Sequence, residues 1–87
     1  MTSRSVRITN ALGLHARAAA RFVHAAGAFV AQIRVACGPR VMDGKSIMGL
    51  LLLAASQGAE ILVSADGPDE IAAVDALCRL VERGFEP

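Results

Sequence analysis

The chain has almost no aromatic residues: three phenylalanines, no tryptophan and no tyrosine in 87 residues. Proteins that bind single-stranded nucleic acid stack bases on aromatic side chains and follow the phosphates with clustered lysine and arginine. Here the stacking surface is missing, nine Lys and Arg are nearly balanced by eight Asp and Glu, and the basic residues form no cluster. Nucleic acid is therefore excluded as a partner. Long apolar runs are also absent. The longest, Ile47 to Ala55, falls far short of the roughly 20 residues a helix needs to span a bilayer. The opening Met1-Thr2-Ser3-Arg4-Ser5 lacks the apolar core of a secretion signal, so a soluble, cytoplasmic protein is expected. Cysteine is scarce: Cys37 and Cys78 are far apart, have no metal-ligand spacing, and sit among apolar neighbours where reduced thiols pack as small hydrophobes. Neither a metal nor a cofactor is expected.

What the chain does have is a short, periodic pattern consistent with one domain over residues 1–87. A chain of this length buries only about 60–65% of its unfolded surface, leaving little room for a deep active site. Chemistry should lie at the surface, as in a carrier or binding module. Val6 and Ile8 alternate with Arg7 and Thr9, which predicts a half-buried strand over Ser5–Thr9. Ala16 to Ala26 changes to helical spacing, with Ala19, Phe22 or Val23, and Ala26 on one face and Arg17, Arg21 and His24 on another stripe. Gly27 is placed to stop it.

Phe29–Cys37 and Arg40–Met42 flank Gly38-Pro39 and predict a hairpin. Lys45–Ala55 is rich in leucine and alanine and predicts a helix with Ser46 as its N-cap. Glu60–Ser64 reads as a fourth strand. Asp66-Gly67-Pro68-Asp69-Glu70 supplies a turn, a proline at the first helical position and acids in the first turn of a last helix. Its expected apolar face is Ile71, Val74, Leu77 or Cys78, and Val81, with Arg79 and Arg83 near its end and Gly84 as the stop. The order β-α-β-β-α-β-α predicts an α+β fold with helices on one face of a mainly antiparallel sheet.

One segment suggests chemistry. Gly13-Leu14-His15-Ala16-Arg17 puts a histidine where a glycine-marked turn enters a helix, with a guanidinium two residues on. The backbone N–H groups of a helix start lack intrahelical partners, and the helix dipole there favours an anion. A phosphoryl group on His15 would meet the N–H groups of Ala16 and Arg17 together with the Arg17 side chain. An unperturbed histidine is largely neutral at pH 7 and therefore nucleophilic. A histidine so placed also fits two other classes, a metabolite-binding regulatory domain and an enzyme using His15 as general base. The first lacks a pocket-forming glycine-rich segment, and the second lacks partners at triad or metal-ligand spacing.

Val6-Arg7-Ile8-Thr9-Asn10, Gly13-Leu14-His15-Ala16-Arg17, Asp43-Gly44-Lys45-Ser46-Ile47-Met48-Gly49-Leu50 and Asp66-Gly67-Pro68 together carry a resemblance. Over nearly its whole length the chain resembles the HPr family, the histidine-containing phosphocarriers of the bacterial phosphoenolpyruvate-dependent phosphotransferase system. The resemblance implies an open-faced β-sandwich, a four-stranded antiparallel sheet covered on one side by three helices.

It also implies that His15 accepts phosphate from phosphoenolpyruvate by way of enzyme I and passes it to EIIA-type proteins, with Arg17 as phosphate partner. That makes the chain a carrier in a relay and not a turnover enzyme, and a monomer is expected. The family pattern has proline where this chain has Ala18, a change that restores an N–H donor and loosens the backbone behind His15. Ser46 resembles the serine that an HPr kinase/phosphorylase modifies in some bacteria, where about two added negative charges would repel an acidic partner. Ile47, Met48 and Leu51 would supply an apolar docking patch, with Arg21 and His24 on a basic rim. Two branches of the system remain open, sugar uptake and a nitrogen-related regulatory branch.

Overall fold

A computed structural model describes residues 1–86. The elements run β1 (Thr2–Arg7), α1 (Ala16–Ala26), β2 (Gln32–Cys37), β3 (Arg40–Asp43), α2 (Ile47–Leu52), β4 (Glu60–Asp66) and α3 (Glu70–Glu82). The strands form one antiparallel sheet in the order β1-β4-β2-β3. Side-chain alternation decides which face is covered. Val6, Ile33, Val35, Ile61, Val63 and Ala65 point into a core shared with Phe22, Leu50, Val74, Leu77 and Val81 of the helices. The opposite face carries Ser3, Ser64 and Arg34, which the register places side by side. The expected open-faced α+β sandwich is therefore the architecture observed.

α1 begins and ends where its spacing predicts, and Ala18, Ala19, Phe22 and Ala26 are its buried stripe. Elsewhere, contacts distant in sequence redraw the boundaries. β1 spans Thr2–Arg7 and not Ser5–Thr9, because Thr2 pairs with Ala65 while Ile8 bonds the loop residues Gly58 and Ala59. β2 starts at Gln32 and not Phe29, since the N–H groups of Val30 and Ala31 donate to the Asp69 carboxylate at 2.8 and 2.9 Å. β3 continues one residue beyond Met42, to Asp43. α2 is shorter than the expected Lys45–Ala55: Lys45 and Ser46 belong to a turn on Asp43, and Ala54 adopts φ +54°. β4 runs to Asp66, two residues past Ser64.

α3 starts at Glu70, so Pro68 lies outside the helix and not at its first position. The Asp69 side chain, engaged with Val30 and Ala31, gives no cap hydrogen bond. Ile71 is 74% exposed and does not belong to the buried face. The stripe is centred on Val74, Leu77 and Val81, and Ile71 falls at its edge in the first turn. Cys78 is fully buried, and burial pushes its thiol pKa up. Cys37 is only half-buried, packed against the edge of the core. No helix among the described residues is long and apolar enough to cross a membrane.

Candidate functional site

The turn before α1 is held from two sides. Gly13 N–H donates to the Asn10 carbonyl at 3.1 Å, and the Asn10 amide donates back to the Gly13 carbonyl at 2.8 Å. Leu14 N–H donates to Ala55 O at 2.9 Å while the Leu14 side chain is buried, which ties the turn to the segment after α2. Gly13 takes φ +65°, and a Cβ there would lie 2.6 Å from Ala55 O. Only glycine satisfies both the dihedral and the close approach.

This arrangement makes His15 the N-cap of α1. Its backbone is extended (φ −82°, ψ 179°), its carbonyl accepts from Ala19 N–H at 2.8 Å, and its Nδ1 accepts from Arg17 N–H at 3.3 Å. An Nδ1 that accepts carries a lone pair, which places the ring proton on Nε2. That lone pair lies at the positive end of the helix dipole. The half-buried ring opens on a cavity of about 250 Å³ lined by Asn10, Arg17, Arg21, Gly84, Phe85 and Glu86 among others.

Arg17 is exposed on this cavity, one turn before Arg21 on the helix. Arg21 is half-buried, with Nη1 2.8 Å from the Phe85 carbonyl oxygen and 3.7 Å from Glu86 Oε2. His24, in the last turn of α1, is not at this cavity. It lines a neighbouring, largely apolar groove of about 400 Å³ with Arg17, Ala20, Arg21, Ala25 and Leu80.

α2 packs against α1. Its N-cap Ser46 accepts from Gly49 N–H at 3.0 Å through Oγ. Leu50 points into the core, whereas Ile47, Leu51 and Leu52 are exposed and Met48 is 68% exposed. Ser46, Ile47, Met48 and Leu51 thus share one short element beside the His15 helix. Exposed Leu12 and Leu52 and the cavity residues Asn10, Phe85 and Glu86 lie outside the set of site residues that the sequence marks. Asn10 could have been found from its place in the turn, but no local pattern marks Phe85 or Glu86. Among the described residues no three His, Cys, Asp or Glu side chains cluster as metal ligands.

Fold and site together define an open-faced sandwich that presents one histidine at a helix N-terminus beside two guanidinium groups. Residues 2–83 match the family model PTS-HPr, described as the PTS HPr component phosphorylation site. The phosphocarrier protein HPr of Cupriavidus necator is 46% identical over 85 residues, 98% of this chain and 96% of that protein. The crystal structure of HPr-C-His from Thermoanaerobacter tengcongensis superimposes with a TM-score of 0.94 at 44% identity, covering 98% of this chain and 96% of that one. A structure described as an HPr dimer from the same organism matches with a TM-score of 0.79 and 42% identity over the whole of both chains. The chain belongs to the HPr family of phosphotransferase-system phosphocarriers.

Proposed function

We propose that this chain carries a phosphoryl group on His15, taken from phospho-enzyme I and delivered to EIIA-type proteins. The observation that carries the reading is the His15 Nδ1 lone pair, held at the start of α1 by Arg17 N–H and opening on a cavity lined by Arg17 and Arg21. In the transfer, Arg17 N–H leaves Nδ1 for a phosphoryl oxygen, and the freed lone pair forms a P–N bond to phosphorus. The bond from phosphorus to its donor on enzyme I breaks, and the donor keeps the electron pair. With phosphorus on Nδ1 and the proton on Nε2, the imidazole is cationic and offsets part of the phosphoryl charge.

Ala16 and Arg17 N–H groups and the Arg17 guanidinium then face the phosphoryl oxygens. Each charge-assisted hydrogen bond contributes about 1.5–3 kcal/mol. That strength suits a relay, since the group is held yet still passes to the next acceptor. The same geometry argues for a carrier and against a turnover enzyme: the nucleophile is presented at the surface, where a partner protein can reach it. Exposed Ile47, Met48 and Leu51 would dock such partners. Met48 adapts its shape to several of them, while Arg21 and His24 form a basic rim that favours fast, salt-sensitive encounter with acidic surfaces. The protein acts as a cytoplasmic monomer in this reading.

Ser46 is the regulatory site in the same proposal. Its Oγ sits at the N-cap of α2, next to the docking residues. A phosphate placed there by an HPr kinase/phosphorylase would add negative charge where an acidic partner must approach.

Incubation with phosphoenolpyruvate and enzyme I should add one acid-labile phosphate by mass spectrometry, lost in His15→Ala. A wild-type chain that stays unlabelled where a control HPr is labelled overturns the carrier reading. ATP and an HPr kinase should add a separate, acid-stable phosphate. If that label persists in Ser46→Ala, the regulatory assignment is wrong.

A further inference from the structure

Arg21 lies on the same stripe of α1 as Arg17, four residues on. It is six residues beyond His15, about 9 Å along the helix axis, and both side chains line the same cavity. Its present partners come from the far end of the chain. Gly84 takes φ +67° and Phe85 φ +66°, and Phe85 N–H donates to Leu80 O at 2.9 Å. With its ring buried, Phe85 is held so that its carbonyl oxygen meets Arg21 Nη1 at 2.8 Å. Glu86 follows, its carboxylate 3.7 Å from the same nitrogen and its side chain 76% exposed.

These two partners are of different kinds. The Phe85 carbonyl is a short, directed bond to a fixed backbone atom, whereas the Glu86 carboxylate is a longer, solvent-exposed charge contact that contributes little. A guanidinium has five N–H donors in a planar fork, so Arg21 can keep the carbonyl and change its charge partner. A phosphoryl group on His15 brings up to two negative charges to a cavity that also holds Glu86. Like charges then disfavour the carboxylate's position.

We propose that Arg21 is a second phosphate-binding cation held in place by Phe85, and that phosphorylation of His15 moves its charge from Glu86 to the phosphoryl group, releasing the Glu86 segment. Glu86 is thus an internal competitor that moderates how firmly the phosphoryl group is held. The inference rests on the His15 carrier reading and gives Arg21 a role beyond the basic rim.

Phosphoramidate tests it without enzyme I. The His15 Nδ1 lone pair forms the P–N bond, the P–N bond of the reagent breaks, and its nitrogen leaves with a proton as ammonia. The ³¹P signal of the labelled protein is then titrated with pH. An Arg21 that contacts the phosphoryl group favours its dianion, so Arg21→Gln should raise the phosphoryl titration midpoint by about 0.2–0.7 pH unit. Arg21→Lys, which keeps the charge but loses the fork, should fall between Arg21→Gln and wild type. Glu86→Gln should lower the midpoint in the wild-type background and by less than half as much in the Arg21→Gln background.

In ¹⁵N spectra the Glu86 amide should shift on phosphorylation of wild type and not of Arg21→Gln. A purely structural Arg21 predicts loosening at Phe85 before phosphorylation and an unchanged phosphoryl midpoint in both Arg21 variants, and that result overturns the proposal. Equal effects of Glu86→Gln in both backgrounds overturn the charge exchange. If phosphoramidate places no phosphate on His15, the inference falls. If it does and phospho-enzyme I does not, the carrier reading alone fails, and the titration still judges Arg21.

Discussion

Gly13 shows how much of the site depends on a side chain that is not there. Its φ of +65° lies in the left-handed region, and a Cβ would meet Ala55 O at 2.6 Å and Ser56 Cα at 2.8 Å. Gly13→Ala therefore incurs the left-handed cost of about 1–2 kcal/mol and a backbone clash besides. Urea unfolding should show a loss of about 2 kcal/mol or more, and the variant should accept phosphate more slowly because His15 is displaced from its cap. The glycine was legible as a turn, and His15 and Arg17 as neighbours at a helix start. The Nδ1 contact was not, because it depends on the side-chain rotamer that the held turn allows. Ala18 is buried in the first turn of α1, which explains why a small apolar residue serves there.

The start of α3 joins three elements that local sequence keeps apart. Asp69 is held below the ordinary carboxylate range chiefly by Val30 N–H, with Ala31 N–H and Lys45 adding to the effect. Glu70 is lowered from 4.5 to about 2, first by the Thr2 hydroxyl, then by Gly67 N–H and the N-terminal ammonium. The folded carboxylate of Glu70 thus binds its proton more weakly than the unfolded one. Its contribution to stability is complete above pH 4.5 and is lost as pH falls towards about 2. Urea midpoints of wild type should drop through that window, with β1 amides losing exchange protection first. Glu70→Gln should be less stable at pH 6 and show a flatter acid limb. An acid limb as steep as wild type's would show that Glu70 does not set it. The spacing of Asp66 to Glu70 announces a helix start, but it does not show that the acids hold β1 and the segment leading into β2 before their own helix.

The core draws on all three helices and on β1, β2 and β4, so its residues are coupled across the fold. Leu77 is fully buried, while Ile71, six residues earlier on α3, is 74% exposed. Leu77→Ala should cost about 2–5 kcal/mol and lower Tm by at least about 10 °C. Ile71→Ser should leave Tm within about 3 °C. Comparable losses at both positions would contradict the orientation of α3. Thermal melts followed by circular dichroism decide the matter.

Hydrophobic periodicity was enough for the order of elements, the limits of α1 and the inward side of Val6 in the first strand, because these follow from 2.0- and 3.6-residue repeats within one segment. The glycine turn and the histidine beside a helix start were equally local. Chain closure settled the rest. Asp69 meets Val30 and Ala31 across 39 and 38 residues, and Arg21 meets Phe85 across 64. Such pairings depend on how the helices pack over the sheet, and no short window of residues encodes that. The motif names His15, and the packed fold supplies the second cation at its cavity and the carboxylate that competes for it.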